Sequence, residues 1–171
     1  MNWQIESVPW DDPEGAALRL AQRAELDARY GSDDHEPGHA PTADEVPVFL
    51  VARDESGTAI ACGGLRFVPE EVCGPGHIEV KRMYVTPAAR GTGLSRAVLY
   101  RLEEAARALG AHRMVLETGE RQPDAIGFYT REGYQPIPGF GVYAGAPESV
   151  CFGRDLTPRN PGTVESDSGQ P

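Results

Sequence analysis

Between Glu79 and Ser95 the chain reads Glu-Val-Lys-Arg-Met-Tyr-Val, then Thr-Pro-Ala-Ala, then Arg-Gly-Thr-Gly-Leu-Ser. A β-rich run that empties through a glycine turn into an amphipathic helix gathers several backbone N–H groups and the positive end of that helix around one point. That arrangement is an anion site. Glycine suits it because a Cβ would block the close approach of a pyrophosphate. A plain tight turn has the same composition, however, and neither the GxGxxG of a dinucleotide fold nor the lysine of a P-loop is present. Upstream, Glu79 should share a strand face with Lys81 and Met83, either as a carboxylate serving a cleft or as a surface glutamate paired with Lys81. Tyr129, on a short helix further on, reads by residue type as a core aromatic. Cys73 with His77 and His35 with His39 are each separated by three residues of loop sequence, too weak a pattern for a metal site. No metal is expected.

These residues need a scaffold, and the hydrophobic pattern supplies one. Trp3–Val8 alternates as a first strand. Asp11-Asp12-Pro13 then caps and opens a helix that runs to about Tyr30, with Gly31 as its stop. Residues 32–45 are acidic, rich in turn formers and without period, which reads as a surface loop able to close over a ligand. Val46–Arg53 and Thr58–Val68 are strands joined by Asp-Glu-Ser-Gly, and His77–Thr86 completes an antiparallel meander of three. Leu94, Ala97, Val98, Leu102, Ala105, Ala106 and Leu109 recur at helical spacing, with Gly110 as the stop. Ala111–Thr118 reads as a buried strand, and Pro123 opens a second helix closed by Gly133. Tyr134–Phe152 returns as one or two strands broken at Pro136–Gly141. Residues 157–171 have almost no apolar content and are expected to be a disordered tail. The resulting expectation is an α/β (α+β) domain over residues 1–156, a mixed sheet with helices on its faces.

Composition bounds the function. The chain has 171 residues, enough for one domain, and a net charge of −10 that argues against general binding to nucleic acid or anionic membrane. The charge is uneven: residues 1–50 carry 11 acids against 3 arginines, whereas residues 77–131 carry 9 basic residues against 6 acids. The middle of the chain is therefore the place for a bound anion and the first third for a cation. No apolar run is long enough to span a membrane, no leader pattern opens the chain, and three scattered cysteines fit a reducing compartment. A cytoplasmic location is expected.

Taken together, Met83-Tyr84-Val85, the run Arg90-Gly91-Thr92-Gly93-Leu94-Ser95, and Gln122-Pro-Asp-Ala125 through Phe128-Tyr129 to Gly133-Tyr134 resemble the GNAT acyltransferases across about residues 46–156. The family's phosphate-binding pattern is Arg or Gln, two residues, Gly, one residue, then Gly or Ala. This chain departs by having Ser95 in the last position, and Gln122 stands where Asn is commoner.

The resemblance implies a mostly antiparallel sheet splayed at the acyl-CoA site. It implies that Met83, Tyr84 and Val85 pair with the pantetheine arm, and that the amides of Arg90, Gly91, Thr92, Gly93, Leu94 and Ser95 hold the pyrophosphate, with Arg90 and Arg96 as counter-charges. Tyr129 would donate a proton to the departing CoA thiolate, and Glu79 stands where some members carry a glutamate base. A base is useful because an amine of pKa about 10.4 is only about one part in a thousand neutral near pH 7.4, a deficit of about 4 kcal/mol. Glu117, at the end of its strand, is the fallback.

The function implied is N-acetyl transfer from acetyl-CoA to a primary amine by direct attack in a ternary complex. A non-catalytic acyl-CoA-binding regulator, or a domain for another phosphorylated ligand, would keep the turn without the chemistry. The acidic run Asp33-Asp34-His35-Glu36 points to a cationic small-molecule or peptide acceptor. Oligomeric state is not written in the sequence, which is compatible with a homodimer.

Overall fold

Residues 2–156 are described by a computed structural model; the tail expected over 157–171 lies outside them. Asp12 accepts a hydrogen bond from the Gly15 amide at 2.8 Å and Pro13 supplies the first helical position, so the first helix, α1 (Pro13–Tyr30), starts where the capping chemistry requires. It follows strand β1 (Trp3–Ser7) and precedes β2 (Val48–Asp54) and β3 (Ala59–Phe67). A one-turn helix, α2 (Glu70–Cys73), leads into β4 (His77–Val85). Then come α3 (Leu94–Ala108), β5 (Arg113–Gly119), α4 (Pro123–Arg131), β6 (Gln135–Ile137) and β7 (Ser149–Asp155).

The seven strands form one sheet in the order β1-β2-β3-β4-β5-β7-β6. The expected meander of three is thereby extended by β1, which pairs antiparallel with β2. Every pairing is antiparallel except β4 with β5, which run parallel and pair only over His77–Glu79 and Arg113–Val115. Beyond Glu79 the two strands part. The opening is the central feature of the fold, because it leaves the second half of β4 with one edge unpaired inside a sheet.

Two packed layers hold that opening in place. On one face α3 buries Leu94, Val98, Leu99, Leu102 and Ala106 against Leu65, Ile78, Val80 and Val85 of the sheet. On the other, Leu18 of α1 packs with Phe49, Val51 and Cys62. Gly63 lets α3 lie close to β3: a Cβ there would stand 2.6 Å from Met83 Sδ and 3.0 Å from Val98.

β4 does not keep strict alternation. The register against β3 slips between Cys62 and Gly64, opposite Arg82, whose φ is +60°. This bulge corrects the expectation that Glu79, Lys81 and Met83 share a face. Met83 packs with the α3-side core and Tyr84 with the α1-side cluster, whereas Lys81 stays opposite Gly64. Among the described residues no helix is long and apolar enough to cross a membrane.

Candidate active site

The opening between β4 and β5 is roofed by α1 and α4 and holds two cavities, of about 530 Å³ and about 420 Å³. They share Gln22, Leu26, Met83, Gln122, Ala125 and Tyr129, so they are two ends of one cleft.

The larger end is lined by Val85 and the glycine turn. Thr86 gives its amide to Ile60 of β3, and by alternation Met83 and Val85 turn their backbone groups to the open edge. Both carbonyls have side-chain donors there: Gln22 Nε2 on Met83 O at 2.8 Å and Arg90 Nε on Val85 O at 3.0 Å. Gly91 and Gly93 have φ of +76° and +88°, and no atom lies within 4 Å of where a Cβ would stand on either. Left-handed backbone and clear space together make this turn a cradle that only glycine leaves open. Thr92 closes the turn by donating to Ala89 O at 2.7 Å, and Leu94 is buried as the anchor of α3. Ser95 and Arg96 line the cavity.

The two arginines expected as counter-charges are already engaged. Arg90 meets Glu25 at 2.6 Å and Arg96 meets the buried Glu132 at 2.8 Å. Gln22 Oε1 and Tyr30 OH are buried in the cleft wall without a hydrogen-bond partner, and groups of this kind call for a ligand. Open turn, unpaired strand edge and orphaned polar atoms fit an extended, phosphate-bearing acyl-CoA.

Tyr129 stands in the wall of both ends, buried to 6% exposure among the rings of Phe128, Tyr134 and Phe152. Burial alone pushes its phenol well above the ordinary tyrosine value, which keeps the proton on it at neutral pH. Its neighbour Tyr134 donates to Glu103 instead, so the two tyrosines are not equivalent.

The smaller end is ionic. Lys81 Nζ donates to Glu36 Oε1 and to Tyr143 OH, both at 3.0 Å, and Tyr143 OH donates to Glu79 Oε1 at 2.7 Å. Glu79 is 4% exposed and does not line either cavity; its neighbour Lys81, 3.8 Å away, does. Glu117 does line the cleft. Burial raises its carboxyl above the ordinary value, Ser149 and Lys81 pull it back, and Glu36 and Glu79 add to the rise. Ser149 Oγ donates to Glu117 at 2.8 Å. A desolvated carboxylate, Glu117, and a buried phenol, Tyr129, thus line the same cavity.

Gln22, Glu25, Tyr30 and Ser149 escaped the reading of the sequence, and Glu36 entered it only as part of an acidic run. For α1 a signal existed: Gln22, Glu25, Leu26 and Arg29 recur at helical spacing on one face, and all four line the larger end. His35 is hydrogen-bonded to Asp27 at 2.6 Å and His39 to Glu45 at 2.9 Å. Among the described residues no group of three or more His, Cys, Asp or Glu could hold a metal ion.

A sequence profile described as the acetyltransferase (GNAT) family matches residues 4–134. The chain is 41% identical over 108 residues to a protein named IAA acetyltransferase from Azospirillum brasilense, covering 63% of this chain and 67% of that one. It superposes with a TM-score of 0.74 on the solved structure of a protein designated an acyl-CoA N-acyltransferase from Klebsiella pneumoniae subsp. pneumoniae MGH 78578. That pair is 34% identical and covers 91% of this chain and 98% of the other. N-acetylglutamate synthase from Neisseria gonorrhoeae, solved with coenzyme A and N-acetyl-glutamate, shares the fold at a TM-score of 0.66 and 14% identity, over 92% of this chain and 36% of that one.

Proposed function

The chain belongs to the acetyltransferase (GNAT) family and is an acyltransferase that uses acyl-CoA; from that premise we propose that it transfers an acetyl group from acetyl-CoA to a primary amine by direct attack. The observation that carries this reading is the junction at Tyr129, where an anion cradle built of backbone meets an ionic pocket with a desolvated carboxylate. A non-catalytic regulator would have no use for the second half.

In this reading the amides of Arg90 through Ser95 hold the pyrophosphate, with Arg90 and Arg96 turning toward it, and the open edge of β4, through the backbone of Met83 and Val85 on either side of Tyr84, takes the pantetheine arm. Glu117 takes the proton of the acceptor ammonium, so that the neutral amine forms its bond to the acyl carbon. As the carbon–sulfur bond breaks, Tyr129 gives its proton to the thiolate, and the second proton that the attacking nitrogen sheds on becoming the amide restores the phenol. Glu79, screened from the cleft, orients Tyr143 and Lys81. The reducing compartment expected for a cytoplasmic enzyme is supported by three unpaired cysteines, Cys62, Cys73 and Cys151.

The acidic run gives less support to a cationic acceptor than its composition implied, because Glu36 is already held by Lys81 and Arg82. Of the other carboxylates that line this end, Asp34, Glu117 and Glu148, Glu117 is the one that burial raises, and it is assigned to the ammonium. The test is acetyl-CoA-dependent thiol release over a panel of polyamines, amino acids, aminoglycosides and peptides. Saturable release with at least one amine is expected. Tight acetyl-CoA binding with no release across the panel would return the reading to a binding protein.

A further inference from the structure

Lys81 and Arg82 are consecutive residues, and on a regular strand consecutive side chains point to opposite faces. Here both reach one carboxylate: Lys81 Nζ lies 3.0 Å from Glu36 Oε1 and Arg82 Nη2 lies 3.0 Å from Glu36 Oε2. The bulge makes this possible, and it does so by holding a non-glycine residue, Arg82, at φ +60°. Such strain persists where surrounding structure over-determines it, and it gathers at ligand sites. The two cations are 8% and 10% exposed. Arg23 adds a third positive charge 3.8 Å from Glu36 Oε2. One ion on each oxygen, from a single strained dipeptide on a rigid strand, is a built receptor for a carboxylate.

The carboxylate that occupies it comes from elsewhere. Glu36 belongs to the irregular stretch after α1, 45 residues from Lys81 in the chain, and it lines the same cavity as Lys81, Arg82 and Glu117. Burial opposes its charge, but Lys81 and Arg82 outweigh that cost and hold its carboxyl below the ordinary value. The receptor is thus part of the sheet and its occupant part of a loop. A loop can be exchanged for a ligand of the same chemistry at the cost of one ion-pair set for another.

We propose that the acceptor is an amine that also carries a carboxylate, of the amino-acid class, and that its carboxylate replaces Glu36 on Lys81 and Arg82 while its ammonium faces Glu117. Glu36 is then an internal stand-in that keeps two buried cations paired until the acceptor arrives. This rests on the acetyl-transfer reading above and narrows its substrate class.

The experiment compares α-amino acids with the amines left by removing their carboxyl group, such as phenylalanine with phenethylamine and leucine with isoamylamine, as acceptors at saturating acetyl-CoA. At least one amino acid should exceed its decarboxylated partner tenfold or more in kcat/KM. Arg82→Ala should raise the KM of that amino acid at least tenfold more than it raises that of the amine. Glu36→Gln should lower the amino acid's KM several-fold, a gain that loss of folded protein cannot imitate. Equal use of both partners, equal response of both to Arg82→Ala, or a higher amino-acid KM in Glu36→Gln overturns the proposal while leaving acetyl transfer intact. If no amine turns over, calorimetric binding of the same amino acids in the presence of CoA decides it. Binding that is lost in Arg82→Ala supports the carboxylate receptor, and no binding by any of them removes it. Failure of acetyl-CoA itself to bind would count instead against the acetyl-transfer reading.

Discussion

On the side of the cleft bounded by Arg90 to Ser95, the groups proposed to hold a ligand belong to the backbone. On the side bounded by Glu36, Lys81, Arg82 and Glu117, they belong to charged side chains brought from three separate stretches of the chain. The backbone side is open, with clear space over Gly91 and Gly93, and its charges are partly exposed: Arg90 and Arg96 are 44% and 58% exposed in their ion pairs. The ionic side is closed on itself, its cations almost wholly buried. A ligand common to a whole family can be met by main-chain amides, which any sequence can supply if glycine sets the turn. A ligand particular to one enzyme needs side chains. Buried charges must be paired before that ligand comes, because an unpaired one costs several kcal/mol.

The junction of the two sides offers the largest expected effect. Tyr129→Phe should lower turnover about 10²–10⁴-fold and leave acetyl-CoA affinity nearly unchanged, since only the phenolic oxygen is lost. Activity equal to the parent across the pH range would make Tyr129 a packing residue, and the two cavities would then lack a shared catalytic group.

Glu117 and Glu79 sharpen the ionic side. Glu117→Gln should cost about 10²-fold in turnover near neutral pH, and Glu79→Gln less than about tenfold, as expected of a residue that acts through Tyr143. With its carboxyl raised by burial, the acid limb of kcat/KM should lie above the ordinary carboxylate range and vanish in Glu117→Gln. The same shift predicts a stability effect. The folded state holds that proton more tightly than the unfolded state, so stability falls as pH rises from the ordinary carboxylate value through the raised one. Glu117→Gln should flatten that part of the melting profile. A larger loss in Glu79→Gln than in Glu117→Gln would reverse the assignment.

Gly93→Val tests the backbone side. A β-branched residue at φ +88° carries a strain of about 1–2 kcal/mol, lowering the melting temperature by about 2–8 °C, and its side chain fills the cradle. Acetyl-CoA affinity should fall about tenfold or more, a loss of about 1.4 kcal/mol, with unfolding still cooperative. Unchanged affinity would remove the pyrophosphate from this turn.

The smallest effect is a gain. Glu25 engages Arg90 at 2.6 Å, and partly exposed pairs of this kind are worth about 0.2–1 kcal/mol. Glu25→Gln should therefore tighten acetyl-CoA binding about 2–5-fold at low salt, fading as ionic strength rises. Weaker binding would mean that Glu25 orients Arg90 and does not compete for it.

Local chemistry made much of this legible in advance. Asp12-Pro13 and Gly31 mark the ends of α1, the Leu94-to-Ala106 stripe marks α3, and Arg90-Gly91-Thr92-Gly93 marks the turn between strand and helix. Each depends on contacts within a few residues, and such contacts are written in the order of residues. The strand ladder was legible too, because an apolar run bounded by turn formers has few alternatives.

Tertiary structure alone decided the rest. One slip of register opposite Arg82 moved Met83 to the face away from Lys81, since a strand has period two and an extra residue inverts everything after it. Packing α1 across the opening set Gln22 on Met83 O and Glu25 on Arg90. The return of the loop after α1 set Glu36 on Lys81. These pairs span 45 to 65 residues, and no local preference of Gln or Glu specifies a partner at that distance. The sequence placed Glu79 ahead of Glu117 by resemblance alone, and only the packing shows that Glu117 lines the cleft and Glu79 does not, because desolvation depends on what packs around a charge and not on its neighbours in the chain.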